Sequence, residues 1–179
     1  MDIFIEKLDV TDAEDLLNFE VENRIFFEEM VPTRGDEYYN LATFKKRHEA
    51  LIEEQVIGSS YCYLIKDKDS LKILGRINIV DIDKKNGYLG YRVGQEYTGK
   101  GIASKALELL LAIVSDDEIN QIKAKTTNNN IASQRVLEKN GFKKMCTSNE
   151  EVKLNGQSLS FVYYVLNISS SKLTGTLDE

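Results

Sequence analysis

The sequence has no tryptophan, one proline, one histidine and two cysteines among its 179 residues. With His48 as the single histidine, neither a histidine-based metal site nor a Ser-His-Asp triad is expected. Cys62 and Cys146 lack metal-type spacing and cannot build a disulfide framework, so we expect no bound metal and a reducing, cytoplasmic setting. No run approaches the roughly eighteen apolar residues of a membrane helix, and the polar start is unlike a signal peptide, so no membrane partner is expected.

Positive charge is also scarce, because the net charge is -6 and the pI is near 5.0. A nucleic-acid-binding protein usually presents a basic face, so this composition argues against nucleic acid as a partner. A hydrophobic content of 42% with 29% charged residues is typical of a globular domain. The length fits one domain, which we assign to residues 1–168, followed by a polar tail at 169–179.

The first half of the chain changes from helical to strand periodicity. After a strand at 3–8, Thr11 and Glu14 have the spacing of a capping box, which predicts a helix from Asp12 to about Met30. A second helix follows over about 39–55. Period-two alternation then predicts three antiparallel strands, with the second and third joined by a hairpin turn at Lys84-Lys85-Asn86-Gly87; the strands are 60–66, 71–82 and 88–93.

The second half alternates helices and strands. A helix over about 100–115 and a strand over 119–126 form a βαβ unit with the preceding strand, so the last two strands of that unit should be parallel. A short helix over 131–139 begins after Asn130, and a final strand pair turns at Asn155-Gly156, with strands at 142–152 and 159–167. We therefore predict an α/β fold with about four helices and a mixed, mostly antiparallel sheet.

A glycine loop lies between the strand ending at Val93 and the long amphipathic helix. Gly99-Lys100-Gly101 would let an anion approach the free N–H groups of the helix N-terminus. The loop matches neither a P-loop nor the dinucleotide fingerprint, which would require glycine at Ser104. A short glycine motif is weak evidence, and a simple tight turn is the alternative interpretation.

A second motif, Asn130-Ile131-Ala132-Ser133-Gln134-Arg135-Val136-Leu137-Glu138-Lys139-Asn140-Gly141-Phe142, follows the glycine loop. Together the two resemble the GNAT N-acetyltransferase superfamily, in particular its RimJ/RimL-like branch. Asn23-Arg24 resembles a helix motif of that branch, and Asn155-Gly156 its late hairpin. The resemblance covers nearly the whole chain and implies the GNAT fold, whose twisted sheet is splayed at the acetyl-CoA site.

The resemblance implies acetyl-CoA as co-substrate, with its pyrophosphate in the loop and its pantetheine arm along the strand end. The implied binding residues are Tyr91, Arg92, Val93, Thr98, Gly99, Lys100, Gly101, Ile102, Ala103, Asn130 and Ser133. The family loop usually opens with Gln or Arg three residues before the first glycine, whereas this chain has Glu96. A carboxylate there should point away from the phosphates or weaken their binding.

Direct acetyl transfer requires a deprotonated amine, a polarised thioester carbonyl and a hydrogen bond or proton for the leaving thiolate. The resemblance implies that Ser133 donates a proton or hydrogen bond to the leaving thiolate. The backbone N–H of Val93 or of a neighbouring residue would polarise the thioester carbonyl. The resemblance also implies a glutamate before the late hairpin as the base, for which we prefer Glu151 over Glu150. We place Phe26, Phe27, Glu28 and Glu29 at the acceptor cleft, because the acidic groups would attract a cationic amine; a solvated helix end is the alternative for at least one of the two glutamates.

These residues predict an acetyl-CoA-dependent N-acetyltransferase acting on a primary amine, with the α-amine of a protein N-terminus as the favoured acceptor. A small amine such as a polyamine, amino acid or antibiotic is the alternative acceptor. A CoA-binding protein without turnover would bind the cofactor but release no CoA when an acceptor is added. A purely structural domain would bind no cofactor at all. The oligomeric state is left open between monomer and homodimer.

Overall fold

The computed structural model describes residues 1–115 and 117–168, and the backbone alone at Asn149. These residues form seven strands, β1 Ile3–Lys7, β2 Tyr61–Asp67, β3 Ile73–Asp83, β4 Asn86–Val93, β5 Gln121–Thr127, β6 Lys143–Leu154 and β7 Gln157–Asn167. They also form five α-helices, α1 Ala13–Glu22, α2 Arg24–Met30, α3 Leu41–Val56, α4 Ile102–Ile113 and α5 Ile131–Lys139. The expected tail, Ser169 to Glu179, lies outside the described residues.

The strands form one mixed sheet in the order β1-β2-β3-β4-β5-β7-β6. The β4–β5 pair is parallel, as the βαβ unit predicts, and the other pairs are antiparallel. β4 and β5 pair only where Asn86–Tyr88 faces Gln121–Lys123. Beyond that point the two strands separate, which confirms the splayed sheet and opens a gap beside the carboxyl end of β4.

Helices cover both faces of the sheet. On one face, α4 packs over β1, β3 and β4 and α5 packs over β5 and β6, around a core that includes Ile77, Leu107, Leu110, Ile122 and Tyr164. On the other face, α1, α2 and α3 cover β2 and β3, with buried Leu16, Phe27, Phe44, Cys62 and Leu64. The gap between β4 and β5 therefore opens towards α4 and α5 on one face of the sheet and towards α1, α2 and α3 on the other.

The first predicted helix is wrong in two respects. The capping box is formed by Asp9 and Asp12, because Asp9 accepts from the N–H of Thr11 and Asp12 accepts from the N–H of Asp9 at 2.8 Å. These bonds create a short 3-10 turn, Val10–Asp12, before α1 begins. The helix also stops at Asn23, and α2 begins as a separate helix at Arg24, so the described residues form five α-helices where about four were expected.

The hairpin between β3 and β4 turns at Lys84 and Lys85, which have φ values of +48° and +63°. Asn86 is already paired with Asp83, so placing Asn86 and Gly87 in the turn was wrong. Gly87 is needed for close packing, because a Cβ there would lie 2.5 Å from Ile79 Cγ2. The β6–β7 turn at Asn155 (φ +49°) and Gly156 (φ +77°) is as predicted.

Candidate active site

The glycine loop leaves an open cradle at the start of α4. Gly99 and Gly101 have φ values of +71° and +78°, where side chains are strained, and a Cβ at either would meet no heavy atom within 4 Å. Gly101 is the N-cap of α4 and supplies no side chain to its first N–H groups. Ile102 anchors the helix start in the core with 4% exposure. Open amides at the positive end of a 12-residue helix suit a phosphate group.

The side chains around this loop divide into two sets. Thr98 and Lys100 are exposed; the Thr98 hydroxyl donates to the carbonyl of Gln95, and Lys100 Nζ lies 5.7 Å from the Tyr97 ring centroid. Lys100 is thus an exposed cation between the two glycines. Glu96 lines a separate groove of about 380 Å³, together with Phe19, Glu22 and Lys72, among others. Whether Glu96 avoids a phosphate in the loop or weakens its binding stays a prediction.

The end of β4 presents backbone groups to the gap. The N–H of Gly94 donates to the carbonyl of Leu74 at 2.9 Å, which makes Val93 and Gly75 a non-hydrogen-bonded pair. Alternation along the strand then turns the N–H and C=O groups of Val93 and Tyr91 towards the gap. The backbone of Arg92 faces β3, so only two of the three expected positions can hydrogen-bond an amide-rich ligand.

Ser133 meets Tyr91 across the gap. The Oγ of Ser133 lies 2.8 Å from the Tyr91 hydroxyl, and its N–H donates to Asn130 Oδ1 at 3.0 Å. Asn130 therefore caps α5, as predicted, and orients Ser133 through the same bond. Burial raises the pKa of Tyr91, against a smaller opposing effect of the Ser133 hydrogen bond. From the sequence, Tyr91 was expected to contribute only its backbone groups, since the partner of its hydroxyl lies 42 residues away.

An ion-pair cluster lies on the opposite face of β4, and the sequence analysis missed it. Glu20 of α1 is fully buried between Arg76 of β3 and Arg92 of β4. The only signal was that Glu20 follows the buried Leu16 by one helical turn and that Arg76 interrupts an apolar strand. Glu20 and Arg76 each place a charged side chain where the sequence pattern predicts burial. A buried charge requires an oppositely charged partner.

The segment expected at the acceptor cleft occupies three environments. Phe27 is 1% exposed and lies beneath the cleft, where its ring centroid is 5.0 Å from the Arg92 guanidinium. Glu28 pairs with Arg24 at 3.0 Å, and hydrogen bonds from Thr33 and Arg24 lower its pKa. Phe26 is half-buried and Glu29 is exposed. Of the four, only Phe26 and Glu29 remain able to contact a ligand freely.

The β6–β7 hairpin lies against the end of α2. Asn155 Nδ2 donates to the backbone carbonyls of Glu28 and Glu29 at 3.3 and 3.1 Å, which joins the hairpin to the end of α2. Glu150 and Glu151 are exposed on β6, and Glu151 is opposite Ser160 of β7. The structure shows no contact of either carboxylate with Ser133 or Tyr91, so neither is joined to that pair directly.

Within the described residues, no three His, Cys, Asp or Glu side chains are placed together in a way that could hold a metal ion. Every helix in this part of the chain is too short or too polar to cross a lipid bilayer. The site therefore consists of an anion cradle, a backbone edge, a hydroxyl pair and a cleft beyond them.

The comparisons with known proteins agree on this architecture. The family described as "Acetyltransferase (GNAT) domain" matches residues 2–143. The probable N-acetyltransferase YjcK of Bacillus subtilis is 31% identical over 86% of this chain and 87% of its own. The ribosomal protein uS5-alanine N-acetyltransferase of Escherichia coli is 27% identical over 82% and 77%.

Two solved structures show the same fold. The ribosomal-protein-S5-alanine acetyltransferase of Vibrio fischeri has a TM-score of 0.86 at 22% identity, covering 93% of both chains. The ribosomal L7/L12 α-N-protein acetyltransferase RimL, in complex with coenzyme A, has a TM-score of 0.82 at 20% identity, covering 93% of this chain and 94% of its own.

Proposed function

Because the chain belongs to the GNAT acetyltransferase family and is an acetyl-CoA-dependent N-acetyltransferase, we propose that its acceptor is the α-amine of a protein N-terminus. The observation that carries this proposal is the relationship to a ribosomal-protein-alanine N-acetyltransferase over 82% of the chain. The exposure of Glu29 on α2 and of Glu150 and Glu151 on β6 supports it, because these side chains can meet an acceptor from solvent.

The binding of acetyl-CoA divides between the loop and the strand edge. Acetyl-CoA supplies an acetyl group as a thioester, which an amine can take without a covalent enzyme intermediate. We assign Gly99, Gly101 and the first amides of α4 to the pyrophosphate, with Lys100 adding positive charge. The gap-facing backbone groups of Tyr91 and Val93 would hydrogen-bond the amides of the pantetheine arm, in the manner of a missing β-strand.

The chemical roles follow from the same geometry. The Val93 N–H faces the gap and would polarise the carbonyl that is attacked. The Ser133 hydroxyl would donate to the departing sulfur, and the Tyr91 hydroxyl, 2.8 Å from the Ser133 Oγ, would hold Ser133 in place. Glu151, or Glu150 beside it, would remove the proton of the amine through a water molecule.

We also propose a cytoplasmic enzyme. Both cysteines are free thiols, Cys62 in the core and Cys146 at the surface, as expected for a protein made and kept in a reducing compartment. Monomer and homodimer both remain predictions of the sequence analysis.

An acceptor panel tests the proposed function. CoA release is followed with three kinds of acceptor. The first is a short peptide with a free N-terminus and an internal lysine, and the second is the same peptide with its N-terminus blocked. The third is a set of polyamines and free amino acids. We expect turnover of the free peptide alone, with mass spectrometry locating the acetyl group on the α-amine. Turnover of small amines together with an inert peptide would overturn the proposal.

A further inference from the structure

The charged cluster beneath the acceptor cleft holds more positive charge than it can neutralise. We define the acceptor arginine cluster as Arg34, Arg76 and Arg92 with Glu20. Arg92 Nη1 lies 2.9 Å from Glu20 Oε2 and donates to it, while Arg76 Nε lies 2.8 Å from Oε1 as an ion pair without good hydrogen-bond alignment. One carboxylate, 0% exposed, thus serves two guanidinium groups whose side chains are 10% and 14% exposed.

Arg34 adds a third cation to this cluster. Its guanidinium donates to the Tyr38 hydroxyl and lies 4.6 Å from the centroid of that ring. Burial lowers the pKa of Arg92, and although Glu20 opposes this, repulsion from Arg34 and Arg76 adds to it. Glu20 thus pairs with Arg76 and Arg92, while the exposed Arg34 is a third cation near them, so the cluster has two more positive than negative charges.

The neighbouring acids do not supply the missing charge. Glu28 and Asp36 both pair with Arg24, at 3.0 and 2.5 Å. Among the described residues, Arg34 forms no ion pair with a carboxylate. Arg76 and Arg92 are mostly buried and have one carboxylate between them, which is costly, so the cluster is suited to a further anion that the exposed Arg34 can reach from solvent.

The position of the cluster relates it to the proposed chemistry. Arg92 follows Tyr91 directly, and alternation along β4 sends the two side chains to opposite faces of the sheet. The Tyr91 hydroxyl reaches Ser133 on one face, and the Arg92 guanidinium lies over Phe27 on the other. An acceptor whose amine enters the gap from the α2 side would pass beside Arg92 and Arg34.

We propose that the acceptor arginine cluster binds a carboxylate that the acceptor carries a few bonds from its reactive amine. The inference rests on the acceptor site of the proposed function and specifies its substrate class. The carboxylate could be the acidic side chain next to a protein's N-terminal residue, or the α-carboxylate of a free amino acid. A planar guanidinium matches a carboxylate through paired N–H groups, and Arg34 is exposed enough to provide them.

Paired acceptors test the inference. Peptides that differ only in glutamate or glutamine at the second position are compared by CoA release, together with free amino acids and their amides. We expect the wild-type KM for the glutamate peptide to be at least about tenfold below that for the glutamine peptide, equivalent to about 1.4 kcal/mol. Arg34→Gln should reduce the ratio of the two KM values to below about threefold, mainly by raising the KM for the glutamate peptide.

Two further variants keep the test independent of folding. Arg92→Lys retains a charge for Glu20 but loses the planar fork, so it should also reduce the ratio. Lys46→Gln removes an exposed cation from α3 and should leave the ratio unchanged. An acetyl-CoA-induced rise in unfolding temperature confirms that each variant is folded.

The outcomes separate the two proposals. Equal KM values for the glutamate and glutamine peptides, with both acetylated, would overturn the carboxylate site and leave the proposed function intact. Inert peptides, together with turnover of free amino acids over their amides, would overturn the protein N-terminus and retain the carboxylate site.

Discussion

At the residue scale, the position of Ser133 depends on two partners with separate tasks. Asn130 binds the N–H of Ser133 and fixes where α5 begins, while Tyr91 binds its Oγ and sets the direction of the hydroxyl. The first partner is local and was predicted from a capping pattern. The second comes from β4, and no spacing in the sequence connects the two hydroxyls.

Removing either hydroxyl should separate chemistry from binding. We expect Ser133→Ala to lower kcat by about 10²-fold, the lower range for positioned proton donors, with the KM for acetyl-CoA changed far less. Tyr91→Phe removes one hydrogen bond and should lower kcat by about 2–10-fold. Tyr88→Phe, at a half-exposed ring on the same strand, is the matched control. Steady-state CoA release measures all three, and an unchanged kcat in Ser133→Ala would remove the role assigned to it.

At the element scale, the strand–loop–helix unit from β4 to α4 was readable from the sequence because each step is local. A glycine at positive φ, an uncapped helix start and an apolar helical stripe all lie within about fifteen residues. The break between α1 and α2 was not readable in this way. Asn23 there accepts from the N–H of Gln95 at 2.8 Å, so the break depends on a loop 72 residues further along.

A charge placed in the loop should abolish cofactor binding. At about 100 times its dissociation constant, acetyl-CoA should stabilise the wild type by about 2.7 kcal/mol, a rise of roughly 5–10 °C in the unfolding temperature. Gly101→Glu should show no rise, because it puts a carboxylate in the cradle. Gly58→Glu is matched, since Gly58 has a φ of +76° and equally open surroundings but lies at the end of α3. A normal rise in folded Gly101→Glu would refute the loop assignment.

At the scale of the whole molecule, Glu20 connects the helical layer to the sheet. It reaches from α1 to the paired strands β3 and β4, where Arg76 and Arg92 stand opposite each other. The ion pair with Glu20 also fixes the position of Arg92 in the acceptor arginine cluster, because Arg92 lies between Glu20 and Phe27. Stability and the proposed carboxylate recognition therefore share one buried group.

Neutralising that group should destabilise the fold. Glu20→Gln leaves two buried guanidinium groups without their counterion, and losing one partner of such a network typically costs about 3–5 kcal/mol. Urea unfolding measures this, and excess inorganic sulfate should restore part of the loss by supplying an anion. Glu14→Gln removes an exposed ion pair to Lys45 and should leave the midpoint nearly unchanged. Equal midpoints for the two variants would show that the cluster contributes little to stability.

The amino-acid pattern alone specified most of the strands and helices, the glycine cradle before Ile102, the cap at Asn130 and the turn at Asn155-Gly156. Each depends on side chains and φ preferences within a few residues of one another. The tertiary structure alone decided the break at Asn23, the pairing of Tyr91 with Ser133 and the burial of Glu20 between two arginines. Those features depend on residues that are 42 to 72 positions apart and come together only when the sheet has formed and its two faces have been covered.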